Sequence, residues 1–506
     1  MFEIGKQFPP AGDVERLAKY KRGKSFFDGK QHEVYQRASE LLKDRPFASQ
    51  MEKLYIAVNI IDILCTKPAD LLVGEPPKFE SGMDSESTEQ KAINRIVEEN
   101  DITQQLHELT VGNGYRGDAW IKTYYNVRQD LSAIPGDLVK PELSPEPIIE
   151  TVPSCYVFPE LANGSAKKFK AINIAWVEYI ETKREEIPFL NVEKHVPGYV
   201  IYERYRLVEK GVDTTWGVPI ELFEIEKKVD TMRESDVDET CVPHLLVEQI
   251  PYKSVDDDWR GISLVEKLES VLIAINDRLV QIDYILWKHS DPTLYGPELT
   301  EDGAGSVALG GNYIPVQKEE QTPGAIVWNG HLDSAFKELD ILLGTVFQMA
   351  ETPQWLFGTT MTEDRGGTGT SHTDGAAIKA RFMPILSKVK RIRAHVDRAI
   401  RDALWKAQIL ENYANEGVEE FTPYDPIYPS VTWSDGLPKN EKELAEIMQI
   451  RTGGKPTIDV QSAIKKQDGV DDEKAREVMR RIDGDEESVN GMVDGTVFNG
   501  EPLNDE

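Results

Sequence analysis

The chain has 506 residues, 40% of them apolar, enough for roughly three domains of ordinary size with a real core. Its formal net charge is −30, and a chain this acidic repels nucleic acid at long range, which argues against a simple DNA-coating role. Three cysteines stand far apart with no CxxC spacing and read as reduced structural thiols, and Met1 to Pro10 lacks the apolar core of a secretory signal.

The first residues, 1–44, are polar and mixed in sign and predict an N-terminal arm with short helices. From Ser49 the pattern turns apolar. Leu54, Val58, Ile61 and Cys65 recur at spacings of four, three and four, which predicts a helix that Pro68 should kink or interrupt. Gly74-Glu75-Pro76-Pro77 stops it. A second helix is expected from Glu89 to Thr110, ended by Gly112-Asn113-Gly114. Between Gly117 and Pro251, β-branched and aromatic runs alternate with Pro, Gly and Asn, the texture of an antiparallel β-rich domain. Its expected strands are Ala119–Tyr125, Ile172–Ile180, Tyr199–Leu207, Val218–Ile225 and His244–Gln249.

Helices return at Gly261. Ile262–Trp287, His331–Ala350 and Gly375 to about Leu410 each carry apolar residues at alternating spacings of three and four, stripes that pack on neighbouring helices. Pro384 falls inside the third and predicts a kink near 380–384. The insert 290–330 is glycine-rich with strand-like runs at Tyr313–Gln317 and Ala325–Trp328, a small β-containing module. Thr352 to Thr373 is a long polar, glycine-rich loop, a kind that is usually functional. Tyr424–Trp433 reads as a strand and 437–482 as three short helices. Residues 483–506 hold eight acids and no base, the composition of a disordered tail.

The residue constellations of common enzymes are missing. The eight histidines are scattered without an HExxH pair, and Pro456 follows Gly453-Gly454-Lys455 where a phosphate-binding loop needs Ser or Thr. Gly112-Asn-Gly-Tyr-Arg-Gly117 matches a dinucleotide fingerprint as text, but runs from a helix into a strand, the reverse of the required order. Asp256-Asp257-Asp258 reads as a solvated turn before a helix N-terminus. No catalytic, cofactor-binding or metal-ligating residue is assigned, no cofactor is expected, and a non-enzyme is expected. One local feature opposes the global acidity: Lys379 to Lys406 holds nine basic and two acidic residues. Lys388, Arg391 and Arg398 fall on one side of that helix, which reads either as a salt-bridged face or as one that meets a neighbouring copy or DNA.

Four stretches, in this order, resemble the portal proteins of tailed bacteriophages: Asn59 to Pro77, Gly261 to Gly296, Gly366 to Lys390 and Gly454 to Glu477. The resemblance implies an α+β portal fold: an α/β wing at 45–260, stem helices at 261–289 and 331–352, and a β-containing clip at 290–330. It further implies a tunnel loop at 353–373, a kinked wing helix at 374–412, a strand returning to the wing at 413–436 and a helical crown at 437–482. Thr362, Glu363, Asp364, Arg365, Gly366, Gly367 and Thr368 would form the part of the tunnel loop reaching toward DNA. The implied function is a ring, usually of twelve copies, at the capsid vertex. It would pass double-stranded DNA during packaging and ejection, and dock the terminase large subunit and then a head-completion adaptor. Major capsid and scaffolding proteins are further implied partners, with no membrane. The expected location is the virion, and the host cytoplasm during assembly. Another head–tail adaptor or minor capsid assembly protein is the alternative.

Overall fold

The computed structural model describes residues 1–30, 58–131, 134, 138–181, 185–289, 293–297, 313–316, 324–326, 332–357, 375–434, 441–453, 456–468, 470 and 472–491. It is a mixed α+β chain that divides into two compact units, residues 1–371 with 376–436, and residues 372–375 with 437–506.

The first unit opens with β1 (Gln7–Phe8) and α1 (Ala11–Phe27). The expected arm with short helices thus holds one helix and one strand among its described residues. β1 pairs antiparallel with a strand more than 200 residues away, Gln7 opposite Glu224 and Phe8 opposite Phe223. Phe2, Phe8 and Phe158 meet edge to face or tilted, with ring centroids 5.5–5.7 Å apart. Two phenylalanines in a polar stretch are therefore enough to dock it, because each aromatic ring buries a large apolar area.

Next come α2 (Ile60–Val73), β2 (Lys78–Glu80), α3 (Thr88–Glu99) and α4 (Ile102–Arg116). Pro68 lies within α2 and does not end it. The single helix expected over 89–110 is two, broken at Asp101, whose φ is +45°. Gly112 and Gly114, expected as a stop, instead lie inside α4, which is capped by Gly117 at φ +93°. A side chain at Gly114 would come within 2.8 Å of the Cys65 Sγ, so this glycine permits close packing of α4 on α2.

Then follow β3 (Asp118–Asn126), β4 (Glu146–Val152), β5 (Val157–Leu161), β6 (Phe169–Glu181), β7 (Glu186–Val196), β8 (Tyr199–Asp213), β9 (Ile220–Val229), β10 (Val237–Glu239) and β11 (Val247–Pro251). They make a seven-stranded sheet in the order β1-β9-β8-β7-β6-β5, with β10 on β8, and a three-stranded sheet β11-β3-β4. Every pairing in these two sheets is antiparallel.

The long helices are α5 (Leu264–His289), α6 (Leu332–Met349) and α7 (Gly375–Ala414). Between α5 and α6, β12 (Thr293–Pro297) pairs parallel with β13 (Tyr313–Val316) and antiparallel with β14 (Gly324–Ile326). Arg278 of α5 pairs with Glu338 of α6 at 2.6 Å, while the start of α5 lies by the end of α6, so the two run antiparallel. Helix α7 continues through Pro384. One apolar core joins α2, α4, α5, α6 and α7 through Leu64, Leu106, Leu268, Val346 and Val396. Of the strand expected over Tyr424–Trp433, only β15 (Ser430–Thr432) forms, pairing with β2.

The second unit contains α8 (Glu441–Thr452), α9 (Val460–Asp468) and α10 (Asp472–Gly491), with Ala463 and Ala475 buried. Helix α10 runs past Asp483 into the stretch expected to be a disordered tail, since extending an established helix costs little. Residues 492–506 lie outside the described residues.

Backbones approach closely where α4 and β3 meet the approach to α5. A Cβ on Gly117 would lie 2.6 Å from the Gly261 carbonyl oxygen, and one on Gly261 would overlap the Gly117 carbonyl oxygen. Asp118, fully buried, accepts from the Tyr20 hydroxyl (2.7 Å), the Gln249 amide (2.8 Å) and the Gly261 backbone N–H (2.8 Å). Burial pushes its pKa up to about 6, against the pull of the three donors. Gly261→Ala is expected to cost more than about 3 kcal/mol or to prevent folding, because the clash is with rigid backbone. Gly12→Ala, in open space on α1, should stabilise by about 0.5–1 kcal/mol. Urea unfolding of the two variants checks the contrast.

Candidate functional site at the junction of the long helices

Helix α5 begins with a reciprocal cap. The Ser263 hydroxyl accepts from the Glu266 N–H at 3.1 Å, and the Glu266 carboxylate accepts from the Ser263 N–H at 3.3 Å. Helix α6 ends in a Schellman turn: Thr352 N–H donates to Phe347 O (3.0 Å) and Glu351 N–H to Gln348 O (3.1 Å). Glu351 holds the left-handed position, φ +54°, where glycine is usual. Two cations of α7 stabilise this end. Lys388 Nζ donates to the Ala350 carbonyl at 3.1 Å, and Arg391 pairs with the Glu351 carboxylate at 2.5 Å. Positive charge at exposed C-terminal carbonyls is favourable.

Of the two readings of this side of α7, Arg391 and Arg398 make the intrachain ion pairs of a salt-bridged face, while Lys388 is turned inward. Lys388 is buried, 5% exposed, with its ammonium 5.8 Å from the Tyr252 ring centre. It cannot face DNA or a neighbouring copy while it caps α6. Arg391 is half-exposed but engaged within the chain, and only Arg398 is broadly exposed, at 84%, with Asp402 3.8 Å away. Other cations of the same window also bind their own chain. Arg393 donates to the Ser434 carbonyl at 2.6 Å, Arg401 to the Pro429 carbonyl at 2.7 Å, and Lys406 pairs with Glu248. Helical spacing places residues on one side of α7. It does not say whether that side meets water, and here much of it meets the first unit's core.

Thr362, Glu363, Asp364, Arg365, Gly366, Gly367 and Thr368 lie outside the described residues. Pro384 is within α7. Beside Lys388, the cleft between the loop after β11, α5, α6 and α7 also gathers Lys253 and Lys267. These two were not singled out in the sequence, because they are far from α7 along the chain and carry no motif. Burial lowers the Lys388 pKa to about 8, and the Lys253 ammonium beside Lys267 lowers that lysine to about 8 as well. Cys65, also buried in this region, has its thiol pushed up to about 12 and stays neutral.

The arrangement gathers three lysines and an arginine around one carboxylate. Among the described residues no group of His, Cys, Asp and Glu gathers as a metal site, and no helix is long and apolar enough to cross a membrane. The Gly112–Gly117 pattern forms the last turn and cap of α4 before β3, so it does not present a helix N-terminus to a pyrophosphate. No family model matches the chain, and no curated protein matches it.

The buried lysine gives a signed pH dependence. Its native pKa lies below the unfolded value, so its contribution to stability is fully present above about pH 10.5 and is lost as pH falls through about 8. In phosphate-free buffer, wild type should therefore gain stability relative to Lys388→Met between pH 8 and pH 10, followed by urea unfolding. A difference that stays flat across that range would contradict the buried, strained ammonium.

Proposed function

We propose that this chain is a subunit of a portal-type ring, a channel for double-stranded DNA at a capsid vertex. The observation that carries the reading is the antiparallel pair α5 and α6, which leaves several large apolar side chains exposed. Leu286, Phe336, Ile341 and Met349 are 50%, 48%, 59% and 42% exposed on these two helices. Large apolar side chains repeated along a helix pair call for a partner surface. A second copy supplies one, and repeated head-to-tail contact closes a ring when the rotation permits.

The order of elements supports the same reading. A β-rich region precedes α5, the small β12–β14 sheet interrupts the helix pair, and the long α7 returns to the core shared with α2 and α4. In this reading the β-rich region is the wing, α5 and α6 are the stem, and β12–β14 are the clip that docks the terminase large subunit and later an adaptor. The loop carrying residues 362–368 reaches the DNA, and α8–α10 form the crown. Capsid and scaffolding proteins surround the ring in the virion. The acidic charge suits a channel through which DNA must slide, since each strong phosphate contact adds salt-dependent grip. The ring performs no catalysis of its own.

Negative-stain imaging and mass photometry of the purified chain test this. Closed rings with a central hole are expected, and Phe336→Asp with Ile341→Asp should return a folded chain to monomers. A monodisperse wild-type monomer at tens of micromolar would overturn the proposal.

A further inference from the structure

The cleft at the helix junction carries more positive charge than the chain compensates. Lys253, Lys267, Lys388 and Arg391 line it, against the single carboxylate of Glu351, and the remaining lining residues are uncharged. Arg391 uses that carboxylate. Lys388 spends one of its three N–H donors on the Ala350 carbonyl. Among the described residues neither Lys253 nor Lys267 forms a direct ion pair, and Glu351, already engaged by Arg391, is the one carboxylate that acts on Lys267 from within the cleft. Tyr252 lines the same cleft, and its hydroxyl is buried with no hydrogen-bond partner among the described residues. A buried hydroxyl without a partner is costly, and like charges that outnumber their counter-charge are costly as well.

We propose that this cleft is a binding site for a small oxyanion, a phosphate group held by Lys253, Lys267 and the Tyr252 hydroxyl, with Lys388 and Arg391 behind it. The cleft is small, with a cavity volume of about 40 Å³, and suits a compact tetrahedral anion rather than an extended ligand. Each contact is of a type the anion needs. The ammonium groups give charge-assisted hydrogen bonds, and the tyrosine hydroxyl donates one to an oxygen. The capping box occupies the Ser263 and Glu266 N–H groups at the start of α5, and the ammonium groups of the lysines supply the charge for recognition. Bound there, the anion joins the loop after β11 to α5 and to α7, and so secures the end of α6. The inference does not depend on the portal reading, and its failure would leave ring formation untouched.

Isothermal titration calorimetry of inorganic phosphate into the full-length chain at pH 7, with chloride at matched ionic strength as the blank, tests it. One phosphate per chain is expected, together with a rise in thermal midpoint that saturates over the same concentrations. Lys253→Gln with Lys267→Gln should weaken binding by about tenfold or more, since two charge-assisted contacts are lost. Both lysines lie outside the core, and circular dichroism confirms that the variant folds. Tyr252→Phe, which keeps the ring, gives a second reading and should weaken phosphate by a smaller factor. Acetate in place of phosphate distinguishes a general carboxylate site: equal affinity for both would overturn the phosphate assignment. No saturable heat in wild type, or undiminished binding in the lysine variant, would overturn the site itself.

Discussion

The rest of the first unit depends on the contact of Gly117 and Asp118 with Gly261. Two backbones approach so closely that neither position has room for a Cβ, and the carboxylate beside them is sealed from water. Three elements send a donor to Asp118: α1 through Tyr20, β11 through Gln249, and the chain entering α5 through Gly261. Arg16 stands close by, its guanidinium 5.3–5.6 Å from the ring centres of Tyr20, Phe158 and Trp259. Each donor left unpaired in such a place costs about 1–3 kcal/mol, so the hub fixes where the β-rich region ends and the long helices begin. The N-terminal helix is thereby part of the frame and not an appendage.

A second constraint is the use of positive charge. The basic stretch of α7 reads as an outward surface when only its composition is considered. In the folded chain Lys388, Arg393, Arg401 and Lys406 are directed at carbonyls and carboxylates of the same unit. Spent in this way, the cations bind elements distant in sequence, and little is left to grip a polyanion. That economy is compatible with a channel subunit, where DNA must pass without being held. Arg381, Lys390 and Arg398 stay exposed on the same helix, and with the cluster of Lys253 and Lys267 they leave charge available to something outside the chain.

The long helices were legible because spacings of three and four persist over many turns, and burial against a common core enforces that period. Most strands were legible for the corresponding reason, alternation on half-buried sheets. The N-terminal strand was not, because Phe2 and Phe8 are two isolated apolar residues whose partner Phe158 is remote in sequence. Gly112 and Gly114 misled because glycine serves two purposes, ending helices and allowing them to touch, and sequence does not distinguish them. Lys388 misled because charge reports nothing about burial when the partner is a backbone carbonyl. Lys253, Lys267 and Tyr252 carried no signal at all, since only the fold brings them to the end of α6.

The organising role of the Asp118 hub is tested most directly by hydrogen–deuterium exchange of wild type and Asp118→Ala. The account predicts that loss of the carboxylate speeds exchange together in α1, in β11 and at the start of α5, because all three lose the acceptor that holds them to β3. Faster exchange confined to β3 itself, with α1 and the first turns of α5 as protected as in wild type, would contradict it.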